Sequence, residues 1–289
     1  MGAASSRNVK VHTMHKRVLE YSLLFVIATA LALTGPAHTE TTVAGSYDGG
    51  TGASGTPYKI ATLAQLRLLS ETSADWAAGT YFILTADIDA ADTSTWNSEL
   101  GFSPIGNPTT PFSGELDGQG FIITDLVINR PLENDIGFIG ETGSQVVISN
   151  LGLENISVTG QERTGGLVAN NNGAITSCYV EGTVSILSYW GGGLAGLNSG
   201  SITSSYMAGT VSGDNTVGGL TSGNFGTITS CYTTATVTGT WWAGGICGYN
   251  TGSISSSYST GSVTGTNGVG GLVGYNINTI RSSYATGAV

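Results

Sequence analysis

Any acid–base or metal chemistry in this chain must come from carboxylates. The three histidines, His12, His15 and His38, all lie in or beside an apolar N-terminal run that reads as a removable leader. Its removal leaves no imidazole, which excludes an H-E-x-x-H zinc centre and Ser-His or Cys-His nucleophiles. Neither G-x-S-x-G nor G-x-x-x-x-G-K-[ST] occurs. Two carboxylate groups remain: Asp87, Asp89 and Asp92 in "ADIDAAD", and Asp117 with Asp125 in "GELDGQGFIITDL". Paired carboxylates suit glycoside hydrolysis, and the first group has the oxygen density of a weak calcium site. The commoner role of Asp in such segments is to cap turns and accept from backbone N–H groups. The reading is therefore non-catalytic, with no metal and no cofactor.

Binding chemistry has better candidates. Tyr189 with Trp190, and Trp241 with Trp242, end two repeats that lie two steps apart. Exposed aromatic faces stack on sugar rings, and a two-coil separation of roughly 10 Å would suit a glycan strip. Against this, the same rings can fold over an edge and shield it. A second surface candidate is the hydroxyl set Thr183/Ser185, Thr210/Ser212, Thr236/Thr238 and Ser262/Thr264. Stacked hydroxyl rows of this kind can order water, although Thr is also common on exposed strands for propensity alone.

The elements that position these residues follow from an internal repeat. "GGICGYNTGSISSSYSTGSVTGTNGV" runs from Gly244 to Val269, and "GGLVGYN" then begins the phrase again. Five copies start at Gly165, Gly192, Gly218, Gly244 and Gly270, a period of about 26 residues that signals a solenoid. Glycine density and β-branched alternation argue against helices. Three apolar columns recur: Leu167/Leu194/Leu220/Ile246/Leu272, Ile175/Ile202/Ile228/Ile254/Ile280, and Val184/Val211/Val237/Val263/Val289. Three inward files predict three strands per turn in an all-β, parallel β-helix, each residue about 4.8 Å above its copy. The general preference of parallel crossovers makes it right-handed.

Other columns read as structure. Asn171, Asn198, Asn224, Asn250 and Asn276 predict an amide ladder rather than a metal or sugar site. Gly173, Gly200, Gly226 and Gly252 follow two residues later, and this Asn–Gly stretch is where a left-handed turn is expected. Tyr179, Tyr206, Tyr232, Tyr258 and Tyr284 form a stacked file. Cys178, Cys231 and Cys247 lack C-x-x-C spacing and read as buried free thiols, since Cys178 and Cys231 sit two coils apart, beyond disulfide reach. Upstream, Thr62 and Gln65 form a capping-box pattern before the stripe Leu63, Leu66, Leu69, which predicts a short helix capping the bore.

"GGLVGYN" and "SISSSYSTGSVTG" resemble the GLUG motif, a Gly-rich repeat of bacterial surface proteins. Those include filamentous-haemagglutinin-like adhesins and certain IgA-cleaving metallopeptidases. "YDGGTGASGTPYKIATLAQLRLLS", "YFILTADIDA" and "PFSGELDGQGFIITDLVI" resemble the usual lead-in to such repeats. The resemblance implies a β-helical surface scaffold; the peptidase chemistry lacks its zinc motif here.

The predicted organisation is a signal peptide at 1–39, with Met14 an alternative start, then a cap and irregular first coils at 40–135. GLUG-type coils follow at 136–289, truncated at the C-terminus, where an uncapped edge invites edge-to-edge pairing. The leader's apolar stretch, Tyr21 to Leu33, spans roughly 20 Å as a helix, too short for the roughly 30 Å bilayer core. From Glu40 onward 18 acidic residues face 5 basic ones, a net charge of −13, which disfavours nucleic acid and anionic lipid as partners. The expected protein is secreted or at the cell surface, with an extracellular glycan or surface protein as partner. The alternatives are a stalk or accessory fragment of a larger surface protein or peptidase, or a carboxylate-dependent polysaccharide-degrading enzyme.

Overall fold

The computed structural model describes residues 45–289. The expected signal segment and Met14 lie outside the described residues. From Tyr58 onward the chain winds as a parallel β-solenoid of about nine coils, the nine strands of the first sheet marking one per turn. That sheet, sheet I, runs from Tyr58–Ile60 and Tyr81–Leu84 through Ala174–Thr176, Ser201–Thr203 and Thr227–Thr229 to Ile280–Arg281. Sheet II holds the longest strands, among them Gly152–Gly160, Tyr179–Ile186 and Tyr206–Gly213. Sheet III begins later in the chain, with Ile139–Glu141, and continues through Val168–Asn171, Ala195–Asn198, Thr221–Asn224, Cys247–Asn250 and Val273–Asn276.

Like residues stack on like because the period is nearly constant. In sheet I, Ile175 pairs with Ile202, Ile202 with Ile228, Ile228 with Ile254, and Ile254 with Ile280. The Val file runs Val158, Val184, Val211, Val237, Val263 in sheet II. The Leu file is tied by bonds from the Leu167, Leu194 and Leu220 N–H groups to the carbonyls of Leu194, Leu220 and Ile246. These side chains are fully buried until the last coil, where Leu272 and Ile280 become half-exposed. Each buried aliphatic side chain contributes roughly 1.5–3 kcal/mol, so the bore supplies most of the favourable energy. The early coils depart from the pattern because phenylalanines fill them: Phe82, Phe102, Phe112 and Phe138 are buried, with Phe102 and Phe138 stacked at 5.6 Å.

The helix Leu63–Glu71 forms where the capping box places it: the Gln65 N–H donates to Thr62 Oγ1 at 3.3 Å, and the Thr62 N–H to Gln65 Oε1 at 3.1 Å. Leu66 and Leu69 join the core cluster that contains Ile60 and Phe82, closing the first coil. No helix among the described residues is long and apolar enough to cross a membrane.

One local expectation is overturned. The left-handed residue common to all five repeats is not in the Asn–Gly stretch but in the file Ser177, Ser204, Ser230, Ser256, Ser282, whose φ values are 54°, 50°, 55°, 50° and 47°. The Asn file stays extended because it ends the strands of sheet III, and its glycine companions are required by space. A Cβ at Gly226 would lie 1.9 Å from the Gly200 carbonyl oxygen of the neighbouring coil.

The cysteines pack as small apolar groups. All three are free and buried. Burial pushes the Cys178 and Cys247 thiols up to about 12 and Cys231 to about 11. They stay protonated at neutral pH and are poor nucleophiles. Thiol titration of the folded protein is expected to detect none of the three, and titration in guanidinium all three. Rapid labelling of the native chain would contradict this packing.

Candidate functional site

The Asn file is a continuous ladder. Nδ2 of Asn171 donates to Oδ1 of Asn198 at 2.8 Å, and the same bond repeats from Asn198 to Asn224, Asn224 to Asn250 and Asn250 to Asn276 at 2.8, 2.7 and 2.6 Å. Each of the first three amides also reaches a backbone carbonyl, of Ser201, Thr227 or Ser253. The first four amides are buried and every rung is hydrogen-bonded along the file, which marks it as structure rather than a ligand site. The Tyr file stacks on the outside of sheet II with ring centroids 4.7–5.3 Å apart. The Tyr179 and Tyr206 hydroxyls donate to Glu154 and Glu181.

The carboxylates do not converge. Asp87 accepts from the Ile122 N–H and Asp89 from the Ala91 N–H, each at 2.9 Å. Among the described residues no group of three His, Cys, Asp or Glu side chains could hold a metal ion. The calcium candidate Asp87, Asp89, Asp92 is thereby corrected: the Asp87 and Asp89 side chains serve separate backbone segments. Asp117 accepts from the Gln119 N–H and from Asn150, while Asp125, itself left-handed at φ 59°, accepts from Asn155.

The aromatic pairs divide. Trp190 and Trp242 both take left-handed backbone conformations, φ 64° and 43°, which bulky residues rarely adopt. At Trp242 the cause is a β-bulge: Thr216 pairs with Trp241 and Val217 with Ala243, so Trp242 is an extra residue thrown out of the ladder. Both indoles consequently lie over the outer face of sheet III. Trp242 stacks on Tyr249 at 5.3 Å and Tyr275 at 5.1 Å; those tyrosines, paired in register, stack on each other at 5.6 Å. Trp190 meets Tyr249 at 6.1 Å and Phe225 at 6.5 Å. Tyr189 and Trp241 make none of these ring contacts and stay exposed. The expected four-residue strip is therefore corrected to a five-ring platform of Trp190, Phe225, Trp242, Tyr249 and Tyr275.

Phe225 and Tyr275 are 45% and 38% exposed, so the platform is a surface and not a core. Gly223 lies in register between Leu197 and Tyr249; a side chain there would press on Leu197, Phe225 and Trp190, and its absence lets those rings lie down. Tyr249 and Tyr275 were readable only as the "GYN" of the repeat. Nothing in the spacing showed that this column faces outward beneath the tryptophans.

The same face changes character toward the N-terminus. Two residues before each repeat start stand Arg163, Trp190, Thr216, Trp242 and Gly268. Arg163, left-handed at φ 49°, turns its guanidinium onto Asp135, with Nη2 to Oδ2 at 3.0 Å. Asn170 Nδ2 donates to Asp135 Oδ1 at 2.5 Å and lies 3.5 Å from Glu141, and Asn172 Nδ2 is 3.4 Å from Glu141. Burial, with the Asp135 charge adding to it, raises the Glu141 carboxyl above its usual range.

Three comparisons bear on this architecture. The solved structure of a candidate immunoglobulin A1 protease from Bacteroides ovatus superposes with a TM-score of 0.54 at 19% identity, covering 83% of this chain and 87% of that one, a likeness of fold. Halomucin of Haloquadratum walsbyi is 37% identical over 139 residues, 47% of this chain but 2% of halomucin. A Gly-rich membrane protein of Evansella cellulosilytica is 34% identical over 138 residues, 47% of this chain and 16% of the relative. The chain thus spans a small part of the curated relatives it matches. Residues 239–264 and 265–289 match the GLUG motif, and the preceding coils stack the same columns in register, so the chain carries GLUG repeats within a continuous solenoid.

Proposed function

We propose that this chain is a non-catalytic extracellular scaffold that contacts glycans through the aromatic face of sheet III. The observation that carries the reading is the five-ring platform, held half-exposed by two tryptophans in strained backbone conformations. Strain of this kind, about 1–3 kcal/mol per residue, clusters at functional sites. Aromatic rings that have kept solvent-facing area offer the flat apolar surface that a pyranose covers. Relatives that carry surface-type names support the extracellular setting. The small share of each relative that is matched favours a companion reading, a stalk or accessory region within a longer surface protein, compatible with the same face.

Trp242→Gly tests the platform with little disturbance of the fold. The equivalent position one coil on is already glycine, Gly268 with φ 64°, so the substitution removes the indole while easing the backbone. Retention on a panel of immobilised glycans is expected to fall about tenfold or more, as for a central aromatic contact. Trp241→Ala is expected to leave retention unchanged. Equal retention of wild type and Trp242→Gly on every glycan bound would remove the platform from the function.

A further inference from the structure

The outer face of sheet III continues beyond the platform as one in-register file: Glu141, Asn170, Leu197, Gly223, Tyr249, Tyr275. Five coil steps separate its ends, about 24 Å at the strand spacing. On one border Arg163 and Trp190 are successive members of the same file, so the polar end and the aromatic end adjoin without a break. The polar end gathers carboxylate and amide groups: Asp135, Glu141, Asn170 and Asn172. Aromatic rings beside amides and carboxylates, in a line one coil wide, match a chain of sugar units better than a single one. Rings take pyranose faces, and the polar groups take hydroxyls.

Charge narrows the class. Asp135, Glu141 and Glu162 outnumber Arg163, whose guanidinium is already engaged by Asp135 and lies 3.6 Å from Glu162. The chain carries a formal net charge of −10. A uronate or sulfated polymer would meet repulsion along the polar half. Resting on the glycan-contact reading above, we propose that this face binds an uncharged linear polysaccharide lying parallel to the solenoid axis. Its units stack on Trp242, Tyr249 and Tyr275 at one end and hydrogen-bond to Asn170 and Glu141 at the other.

The test is a length series. Binding of uncharged oligosaccharides, β-1,4-linked glucose, mannose and xylose and α-1,4-linked glucose, from disaccharide to hexasaccharide, is measured by calorimetry. Oligogalacturonates of the same lengths serve as the charged control. Affinity for the preferred sugar is expected to rise at least tenfold from disaccharide to hexasaccharide, with no binding of galacturonates. Trp242→Gly and Tyr275→Leu, the latter in the exposed last coil, should weaken all lengths. Asn170→Ala, with folding confirmed by circular dichroism, should weaken only the longer ones.

Affinity that is flat beyond the disaccharide, or unmoved by Asn170→Ala, would overturn the axial site while leaving the platform intact. Tighter binding of galacturonate would overturn the charge selection. Failure of every oligosaccharide to bind would overturn the glycan reading itself. Concentration-dependent self-association that Trp242→Gly abolishes would assign the face to a second copy of the chain and overturn the proposal.

Discussion

Asn224→Ala is expected to destabilise the solenoid by about 3 kcal/mol or more, among the largest effects available to a single side chain here. The substitution takes away the acceptor of Asn198 Nδ2 and the donor to Asn250 Oδ1, together with the donor to the Ser253 carbonyl. Asn198, Asn224 and Asn250 are fully buried, so water cannot replace the lost partners. Each buried polar group left without a partner costs roughly 1–3 kcal/mol. Asn276→Ala supplies the contrast, because that amide is at the exposed last rung and accepts from Asn250 alone within the ladder. Its cost should be near 1 kcal/mol. Urea denaturation of the two variants measures the difference. Hydrogen exchange should show the Asn224 loss concentrated in the coils on either side, since each coil contacts only its neighbours. Equal losses would mean that the ladder contributes little beyond its backbone bonds.

The second large effect is Gly226→Ala, which adds a single methyl group. Its Cβ would stand 1.9 Å from the Gly200 carbonyl oxygen and 2.8 Å from that of Ser199. Both are backbone atoms of the adjoining coil, so no rotamer change relieves the clash. The coils would have to part locally, weakening the bond from the Thr227 N–H to the Gly200 carbonyl. Overpacking in a rigid interior costs typically 1–3 kcal/mol, and a backbone clash of this depth should reach about 3 kcal/mol or exceed it. Gly55→Ala is the control, because nothing lies within 4 Å of its added Cβ. It should change stability by no more than about 0.5 kcal/mol. Thermal unfolding of the pair checks the prediction, and a tolerated Gly226→Ala would show that the coils are not in close register at that file.

These two sites also show how far the sequence could be read. Both positions stand out as columns, the Asn one unbroken and the Gly one replaced only by Asn278 in the last coil, and the ladder role of Asn224 follows from stacking identical amides at the strand spacing. The reason for Gly226 does not follow. A glycine after an asparagine reads locally as a left-handed turn, whereas the coil turns left-handed at Ser230 and its copies. The glycine answers to a carbonyl oxygen about 26 residues away in the chain, which no local pattern displays. The carboxylates repeat the lesson: three aspartates within six residues look like a cation site, but the backbone directs Asp87 and Asp89 to different N–H groups.

The amino-acid sequence by itself determined the coil length, the three inward files, the Asn and Tyr stacks and the capping helix. Those depend only on which residues recur and on the preferences of a few side chains for interior, strand or cap. Tertiary structure alone decided the binding face. Tyr189–Trp190 and Trp241–Trp242 are equivalent pairs in the chain, yet a bulge and a left-handed residue send one ring of each pair across sheet III and leave the other outside. Where an indole points is set by backbone dihedrals and by the rings waiting on the next coil, and both come into being only when the coils stack.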